Sequence, residues 1–84
     1  MKEHLAQILV QEFTPSFISI QDDSHKHASH NPAAKNGGTH FSITIRAHCF
    51  MGVSKVNQHK MVYKFLDAYL KDGLHALQLN TGSD

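Results

Sequence analysis

The stretch "THFSITIRAHCF", residues 39–50, is the feature that most constrains the fold. Apolar residues alternate with polar ones along it, and the apolar set is Phe41, Ile43, Ile45, Ala47 and Cys49. Because successive side chains of a strand point to opposite faces, this pattern predicts a strand with one apolar face. That face must be covered by other elements, which indicates a layered domain. The same alternation predicts that Cys49 is a small buried hydrophobe without a site.

The segments on either side predict two helical regions and two further strands. A helical repeat of apolar residues ends before Pro15, and residues 17–21 form a short strand rich in β-branched residues. Ser54 is a suitable N-cap for a second helical region that ends near Gly73, and residues 74–80 predict the last strand. A loop allows antiparallel pairing of the first two strands, and a helical crossover favours parallel pairing of the third. We therefore predict an α+β fold with a three-stranded mixed sheet and helices on one face.

With 84 residues and no internal repeat or linker, the chain is predicted to be a single domain, 1–84. Residues 22–38 contain almost no apolar side chain beyond three alanines and end in Asn-Gly-Gly. We predict that they form a mobile loop between the first two strands. A loop of this length in a small domain is uncommon and often functional. It carries three histidines: His25, His27 and His30.

Composition narrows the classes of function. The formal net charge is +1, too small to indicate nucleic-acid binding by itself. A single cysteine excludes an intramolecular disulfide and any site built from several thiolates of this chain. No apolar run reaches membrane-helix length and no signal peptide is evident, so the cytoplasm is predicted, or an organelle if the sequence is a processed form. No arrangement of serine, histidine or carboxylates predicts catalysis.

Two groups of residues leave alternatives open. The chain has 8 histidines, and those of the loop are either metal ligands or solvated side chains. A loop site for Zn²⁺ or Cu²⁺ is one form of the first alternative, because imidazole suits both ions. Lys55, Lys60 and Lys64 are either a basic stripe for nucleic acid or a solvated helix face.

Four stretches resemble the BolA family: "DDSHKH", "THFSITI", "FMGVSKVNQHKMVY" and "GLHALQL". The resemblance implies an α-β-β-α-α-β order, similar to the class II KH fold, and agrees with the elements predicted above. One departure is Gln58-His59-Lys60, where the family usually has Arg-His-Arg. The departure weakens any role that depends on those arginines.

The resemblance further implies a monothiol glutaredoxin partner in a heterodimer that shares a glutathione-ligated [2Fe-2S] cluster. The ligands carried over from the family are His75 and His27, with His30 in reserve. No cofactor is expected in the isolated protein, and a weak homodimer is a further expectation. The implied roles are iron–sulfur cluster assembly or transfer, iron homeostasis and stress response.

The alternative implied by the family is a KH-like, nucleic-acid-binding transcriptional regulator that uses Lys55, Lys60 and Lys64. A KH domain clamps nucleic acid with a GXXG loop. Here only Gly52 stands between the second strand and the helix. The cluster-binding function is therefore the preferred interpretation.

Overall fold

A computed structural model describes residues 2–23, 40–70 and 76–83 of the chain. Two α-helices, one 3-10 helix and three strands follow one another in the predicted order. They are α1 (Lys2–Phe13), β1 (Phe17–Asp22), β2 (His40–Arg46), a 3-10 helix (His48–Phe50), α2 (Lys55–Leu70) and β3 (Ala76–Gly82).

The strands form one mixed sheet with β2 in the centre. Ile20 of β1 is in register with Ile43 of β2 in an antiparallel pair. Ile43 is also in register with Leu79 of β3, and that pair is parallel. Because α2 lies between β2 and β3 in the chain, it provides the crossover that parallel pairing requires. The predicted α+β fold is confirmed. In the predicted order α-β-β-α-α-β, the 3-10 helix takes the place of the helix that directly follows β2.

The core lies between the two helices and one face of the sheet. The two helices and the central strand contribute fully buried apolar side chains, spaced three or four residues apart in the helices and two apart in β2. Burial of one such side chain contributes about 1.5–3 kcal/mol. The central set is Leu5, Leu9, Ile43, Ile45, Val62 and Leu66.

The predicted burial of Cys49 is wrong. The strand ends at Arg46, and the chain turns into the 3-10 helix directly after Ala47. Within that turn the N–H of Phe50 donates to the carbonyl of Ala47 at 3.1 Å. A spacing of three replaces the spacing of two, so Phe50 is buried after Ala47 and Cys49 is exposed.

The predicted start of the loop is also corrected, by one residue. Asp22 is the last residue of β1 and pairs with Phe41. The N–H of Asp23 then donates to the carbonyl of His40 at 2.8 Å, which extends the strand pairing. The predicted mobility of the loop concerns residues 24–39, which lie outside the described residues.

The start of α2 confirms the predicted cap. The N–H of Asn57 donates to the Ser54 hydroxyl at 3.2 Å, and the N–H of Gln58 donates to the Ser54 carbonyl at 2.8 Å. The predicted C-terminal glycine, Gly73, lies outside the described residues. In the described ranges neither helix has the length and apolar character that crossing a membrane requires.

Candidate functional site

The two ends of the sheet are named here by one residue each. The His40 end comprises Asp22, Asp23, His40 and Ala76. The Gly82 end comprises Phe17, Arg46 and Gly82, followed by the 3-10 helix.

The His40 end is where the segments with the predicted ligands join the sheet. Residues 24–39 connect Asp23 to His40, and these two residues are hydrogen-bonded to each other. His40 is in register with Ala76, the first residue of β3. His75 directly precedes Ala76 in the sequence. Both histidine-bearing segments are therefore attached to adjacent strands at one end of the sheet.

The predicted ligands themselves, His27, His75 and the reserve His30, lie outside the described residues. Of the remaining histidines, His40 is half-buried at the His40 end, and His59 is half-buried on α2. No group of three or more histidine, cysteine or acidic side chains suited to a metal ion occurs within residues 2–23, 40–70 and 76–83.

Side chains on the open face tie the three strands together next to the His40 end. The hydroxyl of Ser42, on β2, donates to the Asp23 carboxylate, which follows β1. The same hydroxyl lies 3.3 Å from Oε1 of Gln78, on β3. Because one central side chain contacts both outer strands, their ends are held side by side.

A second contact fastens the start of β3 to the helix above it. The hydroxyl of Tyr63, on α2, donates to the carbonyl of Leu77 at 2.8 Å. Leu77 is the second residue of β3 and is buried. The sequence places Tyr63 only in an apolar helical stripe. The available signal is that a tyrosine hydroxyl near a core usually finds a hydrogen-bond partner.

The single cysteine lies far from the His40 end. Cys49 is in the 3-10 helix at the Gly82 end and is exposed. The seven residues of β2 separate the two ends, about 20 Å at the usual rise of a strand. This chain therefore offers no thiolate at the end where the histidine-bearing segments attach.

The three lysines of the nucleic-acid alternative do not act as one group. The amino group of Lys55 donates to the carbonyl of Thr81 on β3. Lys60 and Lys64 are exposed on α2, one helical turn apart. Lys64 also borders a shallow groove of about 520 Å³ between α1 and α2, whose lining is Glu12, Phe13, Met61, Lys64 and Phe65. Lys55 is thus held against β3, apart from the two lysines that lie one turn apart on α2.

A family model described as "BolA-like protein" matches residues 9–84 of the chain. Among curated proteins, the chain is 37% identical over 75 residues to SufE-like protein 1, chloroplastic/mitochondrial, of Arabidopsis thaliana. That match covers 84% of this chain but 20% of the relative, so the chain spans about one fifth of that protein.

A second relative is similar over most of its own length. The DNA-binding transcriptional regulator BolA of Haemophilus influenzae is 30% identical over 80 residues, covering 95% of this chain and 74% of that protein. Among solved structures, the BolA domain of SufE1 from Arabidopsis thaliana superposes with a TM-score of 0.87 at 33% identity. That superposition covers 98% of this chain and 90% of the solved one.

Proposed function

This chain belongs to the BolA-like protein family, and we propose that it is the non-catalytic partner of a monothiol glutaredoxin in a heterodimer that shares a glutathione-ligated [2Fe-2S] cluster. One observation carries the proposal. The segments that contain His27 and His75 join adjacent strands at the His40 end of the sheet. Two imidazoles attached this way can reach one iron from the same side of the domain.

The possible ligands of this chain fit a cluster shared with a partner better than a cluster bound by this chain alone. A cluster held by one protein normally takes four thiolates, whereas two histidines can replace two cysteines on one of the irons. The only cysteine, Cys49, lies at the opposite end of the sheet. The other two ligands would therefore be thiolates supplied from outside, by the glutaredoxin cysteine and by glutathione. The bound cluster supplies electron-transfer or cluster-donation chemistry, and the chain supplies the imidazoles and their placement.

We expect the two ligands to differ in importance. His75 directly precedes β3, whose start is fastened by the Tyr63–Leu77 hydrogen bond. His27 has His25 and His30 close to it in the sequence, and either can replace it. Loss of His75 should therefore be more damaging than loss of His27.

The test is to reconstitute the heterodimer with a monothiol glutaredoxin, glutathione, iron and sulfide, and to record visible circular dichroism and complex mass. His75→Ala should abolish or strongly alter the cluster spectrum. His27→Ala should shift the spectrum or shorten cluster lifetime, and the double variant with His30→Ala should be worse than either single change. His59→Ala, on α2, is the matched control and should retain the wild-type spectrum.

Wild-type spectrum and lifetime for His75→Ala would show that the ligand set is wrong. Failure of the wild-type protein to form a coloured heterodimer would overturn the proposal itself. Complex mass shows which part of the proposal fails. A colourless wild-type complex of the expected mass would keep the glutaredoxin partner but exclude the shared cluster.

A nucleic-acid-binding regulator is the second candidate, favoured by the name of the Haemophilus influenzae relative. The exposed Lys60 and Lys64 support it. Against it, Lys55 is occupied at β3 and the family's flanking arginines are replaced by Gln58 and Lys60. Nanomolar binding to duplex DNA that falls steeply with salt and is lost in the Lys60→Ala, Lys64→Ala double variant would make it the main function.

Neither proposed function predicts the cellular compartment of the protein. The cytoplasm is the expectation from the sequence. The name of the Arabidopsis relative assigns that protein to chloroplasts and mitochondria, which supports an organelle as the alternative for this chain.

A further inference from the structure

The turn that follows β2 presents three side chains that can bind a metal ion. His48 and Cys49 belong to the 3-10 helix, and Met51 follows it directly. His48 and Cys49 are exposed, and Met51 is 56% exposed. Methionine is among the residues most often buried, so its exposure beside an exposed cysteine is unusual. Four consecutive residues therefore offer an imidazole, a thiol and a thioether to solvent.

The backbone of the turn brings these three side chains close together. The N–H of Met51 donates to the carbonyl of His48 at 3.0 Å. In a 3-10 helix the side chains of residues i and i+3 eclipse each other, about 6 Å apart along the axis. Met51 keeps a helical φ of −61°, so its side chain leaves the turn on the same side as that of His48. Cys49 lies between them along the axis, one third of a turn away, and can reach the same ion.

The core of the protein holds this turn in place. Phe50 is fully buried, and its ring centroid lies 5.5 Å from that of Phe13. The side-chain amide of Gln58 donates to the carbonyls of Phe50 and Val53, at 3.2 and 2.7 Å. The backbone that carries the three donors is thus ordered before any ion arrives, which lowers the entropic cost of binding.

The chemistry of the three donors selects the ion. Thiolate and thioether sulfur are soft ligands that select Cu(I), and imidazole also binds copper. Zinc takes thiolate, imidazole and carboxylate ligands, and the described residues hold no group of three such side chains. We propose that His48, Cys49 and Met51 form a surface site for a single Cu(I) ion, with two sulfur ligands and one nitrogen ligand.

This copper site is separate from the proposed cluster ligands. The 3-10 helix lies at the Gly82 end, and the seven residues of β2 place it about 20 Å from the His40 end. The three histidines of residues 24–39 offer nitrogen ligands only, which suit Zn²⁺ and Cu²⁺ as well as Cu(I). Binding of Cu(I) through sulfur therefore distinguishes the turn from the histidine-rich segment, and its failure would leave the proposed glutaredoxin function untouched.

The test is to titrate the full chain with Cu(I) under anaerobic conditions, with ascorbate as the reductant and a chromophoric Cu(I) chelator as the competitor. Cys49→Ser should weaken binding by roughly 100-fold and Met51→Leu by roughly tenfold, because each change removes a soft ligand. Met61→Leu is the matched control, since Met61 is a partly buried methionine of α2, and it should keep the wild-type affinity. Because Cys49 and Met51 are exposed, both variants should fold, and far-UV circular dichroism verifies this.

X-ray absorption at the copper edge identifies the ligands directly. The wild-type complex should show two sulfur neighbours, and the Met51→Leu complex should show one. A triple variant with His25, His27 and His30 changed to alanine should bind Cu(I) as the wild type does. Unchanged affinity in Cys49→Ser would overturn the proposal, as would loss of Cu(I) binding in the triple variant or a single sulfur neighbour in the wild type. So would a copper-bridged dimer in sedimentation, because two chains would then each supply one thiolate to the ion.

Discussion

The Gly82 end and the His40 end belong to the same sheet but are held in different ways. At the Gly82 end both backbone and side-chain groups fasten the chain, and the turn that follows packs into the core. The N–H of Ser16 donates to the Arg46 carbonyl at 2.8 Å, and the N–H of Ala47 donates to the Gly82 carbonyl at 3.0 Å. The guanidinium of Arg46 adds a hydrogen bond to the Asn80 side chain at 2.9 Å.

The turn that follows the Gly82 end is also part of the core. Phe50 is fully buried and its ring centroid lies 5.5 Å from that of Phe13 on α1. The side-chain amide of Gln58 donates through Nε2 to the carbonyls of Phe50 and Val53, at 3.2 and 2.7 Å. Sheet, turn and both helices therefore meet at this end, and it is built for stability.

At the His40 end, side chains supplement one backbone hydrogen bond, from the Asp23 N–H to the His40 carbonyl. Ser42 links Asp23 to the central strand, and Tyr63 links Leu77 to α2. This is also the end where both histidine-bearing segments join the strands. The difference indicates that changes at the Gly82 end should act first on folding, whereas changes at the His40 end should act first on the proposed cluster.

The largest expected effect is loss of the Phe50 ring. Phe50→Ala should lower the free energy of unfolding by about 3–5 kcal/mol, because a buried aromatic side chain is replaced by a cavity. Urea unfolding followed by far-UV circular dichroism measures it. For a small domain this is a large part of the total stability.

Phe17→Ala is the matched control at the same end. Phe17 is 54% exposed, so its loss should cost less than about 1 kcal/mol. Equal costs for the two phenylalanines would contradict the assignment of the 3-10 turn to the core.

An intermediate effect is expected from the hydroxyl that links the strands at the His40 end. Ser42→Ala removes the donor to the Asp23 carboxylate and should lower stability by about 1–2 kcal/mol. Amide exchange at Asp23 should become faster, because its N–H closes the strand pair against His40. Cluster lifetime in the glutaredoxin complex should shorten as well.

Ser19→Ala provides the comparison for that change, since Ser19 is an exposed serine on the same open face of the sheet. It should change stability by less than about 0.5 kcal/mol and leave the cluster lifetime unaltered. If the two serine variants behave alike, the Ser42 link does not hold the His40 end together.

Much of the fold could be predicted because local period and long-range packing agree. The alternation around Ile43 and the N-cap at Ser54 each reappear in the structure at the expected residues. The prediction failed at Cys49, where a strand period was extended by a few residues into a 3-10 turn. Periodicity detects an element but not the residue at which the backbone changes direction.

The candidate ligands were reached only through the family resemblance, and they stay a prediction because they lie outside the described residues. Histidine content suggests a metal but does not tell which two imidazoles come together, because that depends on strand register. The register of His40 with Ala76 shows that both segments attach at one end of the sheet. The contacts of Tyr63 and Lys55 with β3 could not be foreseen either, since they depend on how α2 crosses the edge.

The smallest expected change in stability comes from a substitution near the Gly82 end of the sheet. Thr14, between α1 and β1, has φ of 42°, in the left-handed region that costs a β-branched residue about 1–2 kcal/mol. Glycine removes that strain but loses more backbone entropy on folding, so Thr14→Gly should raise stability by about 0.5–1 kcal/mol. Thr44→Gly is the control: Thr44 lies in the extended backbone of β2, and glycine there should destabilise by a similar amount. Thermal unfolding distinguishes the two signs, and a destabilising Thr14→Gly would show that the helix end is not strained. Cluster lifetime should not change in Thr14→Gly, because Thr14 lies two residues before Ser16, which bonds to Arg46 at the end of the sheet remote from His40.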